Sequence, residues 1–295
     1  MNKIVFIKYV IKNTDCEFTI NDLLKNKFNI SARLLNKLIR NKKILVNGNV
    51  FDTRLKCNSG DELLIDFSAE EDNSNIVPTK MDLSIVYEDD WMLVVNKPAN
   101  MPVHPSMEHF TDSLANGIRF YFDSIGLKKK IRIVNRLDLN TSGLVIVAKC
   151  EYIQECLIKE MSDGSFKKSY LALASGIFNK KDDVLIFPIA RKQGSIIERC
   201  VDFENGQFSS THFRVIKEID GNSLILCSLK TGRTHQIRVH LSYIGHPLVG
   251  DSLYGNCSAS GFPNGQKLHC YRLKFVHPIT NNLIILKSKF GDRKF

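Results

Sequence analysis

The sequence has no run of about 18 apolar residues, so no segment predicts a membrane-spanning helix. Residues 1–9 lack the three-part pattern of a secretory signal, and we therefore expect a cytoplasmic protein. Glycine-rich dinucleotide and P-loop motifs are also absent, as is the HExxH spacing of zinc proteases. The sequence therefore gives no sign of the common nucleotide-binding or zinc-dependent enzymes.

The eight cysteines form no CxxC pair and have no regular spacing. A disulfide scaffold normally belongs to a short secreted chain, and a structural zinc site needs closely paired ligands. We therefore expect reduced thiols and no metal site. The sequence shows neither a coiled-coil pattern nor a large exposed apolar stripe, so we expect a monomer, and without a predicted membrane span we expect no membrane partner.

The charge is strongly basic. Lys and Arg number 41 against 31 Asp and Glu, which gives a net charge of +10 and a pI near 9.1. This excess favours a polyanionic partner, with nucleic acid as the first choice. Charge alone does not decide the matter, because many proteins are lysine-rich without binding RNA.

About half of that excess lies in residues 1–67, which contain 12 basic and seven acidic residues. Thr19 and Ser31 are placed to cap two helices, the first through Lys27, and the second with Leu34, Leu35, Leu38 and Ile39 at core spacing. On the second helix Arg33, Lys37 and Arg40 recur at i, i+4 and i+7 and form one basic stripe. Lys42 and Lys43 follow it. An isolated stripe of this kind is usually a solvated helix face.

The stretch SARLLNKLIRNKKILVNGNV, followed by SGDELLIDF, resembles the small αL RNA-binding domain named after ribosomal protein S-four. The resemblance covers residues 14–67 and implies that the basic residues contact RNA phosphates, which gives affinity without sequence choice. Residues 1–67 are thus predicted to be an RNA-binding domain. Residues 68–80 are polar and lack periodicity, which is typical of a linker.

From residue 81 to 295 the sequence predicts one larger domain in which helices are interspersed among strands. Apolar strand-like runs begin at Ile85, Met92 and Leu144, and a helix is expected from Glu151 to Met161. The clearest hairpin signal joins 212–219 to 224–229 through Asp220-Gly221-Asn222. Without regular βα alternation, the pattern predicts an α+β fold with an antiparallel or mixed sheet.

Three segments concentrate residues that can carry chemistry. NRLDLNTSG places Asp138 in a loop of small and hydroxyl residues, where a structural turn is an alternative to a catalytic carboxylate. FKKSYLA puts a basic pair beside Tyr170, which can be a base-stacking site or an ordinary strand start. TGRTHQIRVH brings His235 and Arg238 onto one face of a helix capped by Thr234. His235 and His240 are five residues apart, which is wrong for a helical metal pair.

In this order and spacing, the segments resemble the RluA family of pseudouridine synthases. The family's HRLDxxTSG motif is NRLDLNTSG here, its tyrosine motif matches KKSYLAL, and its arginine motif matches TGRTHQIRVHLSYIGHPLVGDSLYG. An upstream family segment is present as LVVNKPANMPVHP. The resemblance covers residues 81–290, and one departure is visible: Asn135 stands where the family usually has His. Because the following residues are intact, we expect altered loop hydrogen bonds and unaltered chemistry.

The resemblance implies roles for individual residues. Asp138 is expected to be the catalytic carboxylate, which acts on either the ribose or the uracil ring. Tyr170 is expected to stack on the flipped base and serve in proton transfer, Arg238 to pair with the carboxylate, and Arg136 to help displace the base. The candidate RNA-binding residues around them are Lys167, Lys168, Arg233 and His235, in addition to those of the N-terminal stripe.

The sequence therefore predicts an RNA pseudouridine synthase, and the reaction that the resemblance implies needs no metal or redox cofactor. By the same resemblance its substrate is large-subunit ribosomal RNA, with transfer RNA as another candidate. A non-catalytic RNA-binding or ribosome-assembly protein on the same fold is the alternative, and it has no need of Asp138 in a basic cleft. A metal-dependent nuclease is a third interpretation, but the sequence lacks a second clustered carboxylate and correct ligand spacing.

Overall fold

The computed structural model describes residues 5–255 and 265–289. In these residues the strands are, in chain order, β1 (Phe6–Val10), β2 (Ile44–Val46), β3 (Asn49–Val50), β4 (Glu62–Asp66), β5 (Ile85–Glu88), β6 (Met92–Lys97), β7 (Arg132–Ile133), β8 (Ser142–Ala148), β9 (Lys167–Ser175), β10 (Asp182–Ile186), β11 (Ile189–Arg191), β12 (Arg199–Val201), β13 (Ser210–Ile219), β14 (Asn222–Leu229), β15 (Leu268–Val276) and β16 (Leu283–Lys287). The α-helices are α1 (Ile20–Asn26), α2 (Ala32–Arg40), α3 (Leu114–Ser124), α4 (Glu151–Asp163) and α5 (Gln236–Tyr243).

The N-terminal part of the chain forms a four-stranded sheet in the order β1-β4-β2-β3, with α1 and α2 beside it. Both predicted helix caps are present, since the Thr19 and Ser31 hydroxyls each accept a hydrogen bond from a backbone N–H of the first turn. Leu34, Leu35 and Leu38 are buried as expected. Ile39 is 39% exposed, so its predicted place in the core is wrong. It lies beside the basic residues at the end of α2, on the margin of the apolar face.

A ten-stranded sheet dominates the rest of the molecule, in the order β10-β13-β14-β9-β15-β8-β6-β5, with β16 paired to β15 and β7 to β8. Only β15 and β8 pair in parallel among the described strands. The fold is therefore α+β with a mixed, mostly antiparallel sheet, as the sequence predicts. All seven residues of β8 are buried, so this strand lies in the core of the sheet.

The predicted hairpin is present as β13 and β14, which pair in antiparallel register from Thr211↔Leu229 to Ile219↔Asn222. Asp220 and Gly221 both have positive φ, at 49° and 74°, which is the geometry of the tight turns that follow the twist of a hairpin. No comparable signal in the sequence marks α3, β15 or β16. In β15 the apolar residues are interrupted by charges, and the pairing of β15 with β16 is visible only in the assembled sheet.

The segment 68–80 has no helix or strand, as a linker should, yet it is fastened to the larger sheet. Glu71 forms a bidentate ion pair with Arg132, at 2.5 and 2.7 Å. Asn73 is buried and bonds the backbone of Lys129 and Ile131. The side chain of Lys129 donates to the backbone carbonyls of Phe67 and Ala69. Since these contacts cross the boundaries at 67 and 80, the division into domains stays a prediction.

The N-terminal sheet and helices also contact α4. Arg33 and Lys37 each approach Glu151 to 2.6 Å, and Ser31 donates a hydrogen bond of 2.8 Å to Glu155. Phe67 stacks on Tyr152 with ring centroids 5.4 Å apart. Part of the predicted basic stripe is thus turned toward an acidic residue of the same chain.

Residues 5–255 and 265–289 contain no membrane-spanning helix, no metal-binding cluster and no disulfide bond. No helix there has the length and apolar character that crossing a bilayer requires. No group of three or more His, Cys, Asp or Glu side chains there could hold a metal ion. The seven cysteines in this part of the chain are free thiols, and Cys257 lies outside the described residues.

Candidate active site

Asp138 lies in the loop between β7 and β8, and that loop is fixed at both ends. Asn135, at its start, is buried and bonds two backbone groups of β8: its amide donates to the Leu144 carbonyl and accepts from the Ile146 N–H, both at 2.9 Å. The Thr141 N–H closes a turn on the Asp138 carbonyl at 3.0 Å. Asn135 therefore pairs with β8 much as a strand residue would, and holds the loop that carries the carboxylate.

Lys97 holds the same loop from the other side. Its side chain is 1% exposed, and its ammonium donates to the carbonyls of Pro98, Met101 and Leu139 at 2.8, 2.7 and 3.1 Å. A buried ammonium needs several acceptors to offset its lost hydration. Lys97 thus ties the residue after Asp138 to the loop that follows β6. The segment NKPANMPVHP is recognisable in the sequence, but nothing there predicts this task for its lysine.

Gly143, the last residue of the motif NRLDLNTSG, lies where the backbones of β8 and β15 come into close contact. It has a φ of 118°, and a Cβ at this position would lie 2.4 to 2.7 Å from backbone atoms of Cys270 on β15. A glycine permits both the conformation and the close approach. The parallel pairing of β8 with β15 is possible for this reason, and it places the Asp138 loop at one end of both strands.

The charged centre of the site consists of Arg238 and two carboxylates. Arg238, on α5, donates to Asp251 through Nε at 2.7 Å and through Nη2 at 2.8 Å, and its Nη1 lies 3.3 Å from Asp138 Oδ2. Asp251 is completely buried, whereas the Asp138 side chain is 29% exposed. Burial alone would lower the pKa of Arg238, but the two carboxylates outweigh it and raise the pKa further. The guanidinium is always charged and aimed at Asp138.

His235 is the second group beside Asp138. Its backbone is left-handed, with φ of 58°, and α5 begins after it, so the predicted cap at Thr234 is wrong. Its Nε2 lies 3.8 Å from Asp138 Oδ2, and its Nδ1 lies 2.8 Å from the Tyr254 hydroxyl. That hydroxyl accepts from the Arg199 N–H, which favours a neutral His235 with its proton on Nε2, facing the carboxylate. Burial lowers the pKa of His235, in agreement with a neutral ring.

Tyr170 lies on β9 with its side chain buried against the same pocket. Burial, together with the nearby Cys270 thiol and the Asp138 carboxylate, raises the pKa of the phenol well above its usual 10. The hydroxyl therefore keeps its proton throughout the physiological range and can act as a hydrogen-bond donor. The ring forms part of the pocket surface, where a planar base can lie against it.

The loop 231–233, which also lines the pocket, is held by Gln236. The buried Gln236 amide accepts from the Thr231 hydroxyl and the Arg233 N–H, at 2.8 and 3.0 Å. It also donates to the carbonyl of Ser210 and the hydroxyl of Thr211, both at 2.9 Å. These four bonds fix the loop against the start of β13. The sequence does not predict this positioning residue, since a glutamine inside an amphipathic helix gives no signal of its partners.

One pocket, with a cavity volume of about 90 Å³, brings together seven of the predicted site residues, namely Arg136, Asp138, Lys168, Tyr170, Arg233, His235 and Arg238. Arg136 and Arg233 are exposed at its rim, while Tyr170 and Arg238 are buried in its wall. The rim continues into a neighbouring groove of about 390 Å³, to which β11 and β12 add Arg191 and Arg199. These two arginines were not predicted, because no motif surrounds them.

The remaining predicted residues lie elsewhere. Arg33, Lys37 and Arg40 line a separate groove of about 830 Å³ between α2 and the large sheet. Lys43 forms a 2.6 Å ion pair with Asp66, and Lys42 is exposed at the end of α2. Lys167 is exposed, and because successive side chains of a strand alternate, it lies on the opposite face of β9 from Lys168. The predicted basic pair is therefore not a joint site.

The geometry suits chemistry at a single carboxylate. Asp138 is paired with a fixed cation, partly open to the pocket and next to a protonated phenol. The second carboxylate, Asp251, is sealed behind Arg238 and also accepts the backbone N–H groups of Leu253 and Tyr254. It can support Arg238 but cannot reach a substrate. Such a site provides one nucleophile or base in a basic, base-sized cleft.

Comparison with known proteins agrees with this geometry. The profile of the RNA pseudouridylate synthase family matches residues 91–243, from the residue before β6 to the last residue of α5. The chain belongs to this family. It is 36% identical over 270 residues to the Bacillus subtilis protein named uncharacterized RNA pseudouridine synthase YhcT, with 91% of this chain and 88% of the other aligned.

Two further relatives extend the comparison. The chain is 35% identical to ribosomal large subunit pseudouridine synthase D of Neisseria meningitidis, over 86% of this chain and 70% of that protein. The structure of human RNA pseudouridylate synthase domain containing 1 superposes with a TM-score of 0.58 and 28% identity, over 70% of this chain and 83% of the human chain. The family assignment drawn from the motifs is thus confirmed, and the protein is an isomerase that acts on RNA.

Proposed function

We propose that this protein converts uridine to pseudouridine in large-subunit ribosomal RNA, with Asp138 as the catalytic carboxylate. The observation that carries the proposal is the contact of Asp138 with Arg238. Arg238 also forms an ion pair with the buried Asp251, which neutralises part of its charge. The choice of ribosomal RNA rests on relatives named for the large ribosomal subunit, such as the Neisseria protein. Cytoplasmic location and a monomeric state belong to the same proposal.

In this mechanism the target base leaves its stack and enters the pocket. Unstacking costs a few kcal/mol, which contacts with the protein must offset. Tyr170 provides a ring face for the base, and Arg136 and Arg233 at the rim bind the phosphates that flank the displaced base. Asp138 then acts on either the ribose or the uracil ring, the N1–C1′ bond breaks, and the turned uracil bonds to C1′ through C5, which loses its proton while N1 gains one. Arg238 keeps the carboxylate ionised and aimed through a charge-assisted contact.

The predicted domain of residues 1–67 is proposed to bind RNA phosphates next to this pocket. Arg33, Lys37 and Arg40 lie in the groove between α2 and the large sheet, together with His104 and Arg132. Burial lowers the pKa of His104, and so does the charge of Arg136 at the active-site rim. The influence of Arg136 on His104 supports a path in which one RNA strand follows the groove from α2 to Arg136.

Mapping of pseudouridines tests the function. Ribosomal and transfer RNA from cells with and without the protein would be compared by chemical mapping at single-nucleotide resolution. The proposal expects one or more pseudouridines in large-subunit RNA that vanish with the protein and return with the wild-type gene. A change confined to transfer RNA would refute the ribosomal target, and no change in any RNA would refute the activity. Neither the described residues nor the comparisons give support to the alternative of a non-catalytic binder.

A further inference from the structure

Lys168 is a half-buried cation in the active-site pocket that has no partner of its own among the described residues. It lies on β9 two residues before Tyr170, so both side chains emerge from the same face of the strand, about 7 Å apart along it. Both line the pocket that contains Asp138. Within residues 5–255 and 265–289, the ammonium of Lys168 makes no hydrogen bond to an oxygen and no ion pair.

The fully buried lysines in the described part of the chain differ in this respect. Lys97 donates to three backbone carbonyls, and Lys129 to two. Lys149 bonds the Glu88 carboxylate at 2.7 Å and the Asp89 carbonyl at 2.5 Å. These three lysines therefore recover the hydrogen bonds that burial removes, whereas Lys168 does not.

The surroundings of Lys168 keep space for an acceptor. A Cβ on Gly232 would lie 3.3 Å from the Lys168 nitrogen, so the absence of a side chain at Gly232 leaves the ammonium open to the pocket. Burial lowers the pKa of Lys168, and this effect outweighs the opposing influence of the Cys270 thiol. An oxygen that enters the pocket would relieve the cost of burial, because an ammonium has three donors and no acceptor.

An RNA substrate offers oxygen acceptors on its phosphates, its riboses and its bases. The exposed Arg136 and Arg233 at the rim are placed for phosphates, which stay outside a narrow pocket. Lys168 is less exposed than they are and shares its strand face with Tyr170, where the base itself must lie. Among these acceptors, the carbonyl oxygens of uracil are the ones that a base lying on this strand face would present to Lys168.

We propose that the Lys168 ammonium donates a hydrogen bond to a carbonyl oxygen of the target uracil, which makes Lys168 a specificity-determining residue. This rests on the proposed function, since it needs a uridine in the pocket beside Asp138. A base that presents an amino group at the same place would face a donor with a donor, and a buried polar mismatch is strongly rejected.

The test combines a protein variant with altered RNA. Lys168→Met keeps the length and apolar stem of the side chain but removes the ammonium, and Lys274→Met alters an exposed lysine of the same sheet as a control. Each protein is mixed with a short RNA that carries uridine, 2-thiouridine or 4-thiouridine at the modified position. Equilibrium binding and the single-turnover rate are measured for every pair.

For uridine, Lys168→Met is expected to lower the ratio of rate to dissociation constant by about 10- to 100-fold, the effect of one hydrogen bond to a charged group. Sulfur accepts hydrogen bonds weakly, so one of the two thio substitutions should weaken the wild-type reaction. The same substitution should have little effect on Lys168→Met. Lys274→Met should behave as wild type throughout.

Other outcomes overturn the proposal. Equal thio effects in wild type and Lys168→Met would exclude contact with a carbonyl. If the variant instead lowered the salt dependence of binding by about one unit, Lys168 would contact a phosphate. A purely structural role would lower the unfolding midpoint of Lys168→Met, whereas removal of an uncompensated charge should leave it unchanged or raised. A wild-type protein that forms no pseudouridine would refute the proposed function, and the thio-dependence of binding would still test Lys168.

Discussion

The Asp251 carboxylate receives two hydrogen bonds from Arg238, at 2.7 and 2.8 Å, and is itself completely out of contact with solvent. The third guanidinium nitrogen points to Asp138 at 3.3 Å. The proposed catalytic carboxylate is therefore held by an arginine whose own position depends on a residue that substrate never meets. This dependence makes Asp251 as informative a target as Asp138.

Replacement of Asp251 by asparagine should damage both stability and activity. The change leaves Arg238 buried with only the more distant Asp138 to balance it, and loss of one partner of a buried pair typically costs about 3–5 kcal/mol. Urea unfolding measures that loss of stability. The rate of pseudouridine formation by the folded fraction measures how far the orientation of Asp138 by Arg238 is lost. Asp182→Asn is the control, since its pair with His212 is exposed and should contribute little. An Asp251→Asn protein with wild-type stability and rate would show that Arg238 can position Asp138 without its ion pair to Asp251.

Asp138→Asn should abolish pseudouridine formation and leave RNA binding intact. The shape of the loop depends on Asn135, Lys97 and the Thr141 turn rather than on the carboxylate, so the fold should survive. Removal of one negative charge from a basic pocket should leave RNA affinity equal or slightly higher. A filter-binding titration and a chemical assay for pseudouridine on the same RNA separate the two effects. Measurable turnover by this variant would refute Asp138 as the catalytic group.

Tyr170→Phe should separate the ring from the hydroxyl. The ring surface for stacking is kept, so the dissociation constant for RNA should change less than about threefold, while loss of a proton-transfer group typically lowers the rate by about 10²- to 10⁴-fold. Tyr121→Phe, which removes a hydroxyl bonded to Glu88 on the surface, is the matched control. Equal rates for wild type and Tyr170→Phe would limit Tyr170 to stacking, and Tyr170→Leu should then weaken RNA binding.

Much of the site could be predicted from sequence because its candidate reactive residues lie within short motifs. The helix caps at Thr19 and Ser31 and the hairpin turn at Asp220 depend on neighbours in the chain, and the sequence predicts them correctly. Arg238 and Asp138 are 100 residues apart, and only family resemblance joined them beforehand.

The residues that position the site, in contrast, could not be predicted from the sequence. Asp251 and Lys97 act through contacts that only the folded chain creates, and Arg191 lies in a short strand without a motif. Periodicity reports which face of an element is apolar, but it contains no information on which distant partner a polar side chain meets. For this reason the candidate carboxylate is visible in the sequence, whereas the residues that hold it are not.

Asp89 should make stability depend on acid pH. Burial would raise the pKa of this carboxyl, but hydrogen bonds from His277, Tyr87 and the N–H groups of Trp91 and Met92 outweigh it and lower the pKa to about 2. A lowered folded-state pKa stabilises the protein above the unfolded value of about 4, and this stabilisation is lost as pH falls from about 4 to about 2.

Asp89→Asn should therefore lower the free energy of unfolding at pH 7 by roughly 2 kcal/mol, and the difference from wild type should vanish near pH 2. Denaturant titrations at several pH values measure both quantities. Asp220→Asn, in an exposed turn where asparagine fits the positive φ, is the control and should leave stability unchanged. A difference that persists undiminished at pH 2 would assign the effect to shape rather than to charge.

The basic residues of α2 should contribute unequally to RNA binding. Arg40 is exposed and makes no ion pair within the described part of the chain, whereas Lys37 is held by Glu151 at 2.6 Å. A free cation releases a counterion for each phosphate it binds, but a cation already paired must first leave its carboxylate. Arg40→Gln should thus reduce the salt slope of binding by about one unit, and Lys37→Gln by less.

Glu151→Gln should have the opposite effect on RNA binding. It frees Arg33 and Lys37 from their shared carboxylate, so RNA affinity and salt slope should both rise. Lys217→Gln, which alters an exposed lysine on β13, is the control for net charge. Binding isotherms at four or more salt concentrations give the slopes. If all three basic-to-neutral variants shifted the slope equally, the stripe would act only through net charge. If Glu151→Gln weakened binding, the ion pairs with α4 would be needed to orient α2 toward the RNA.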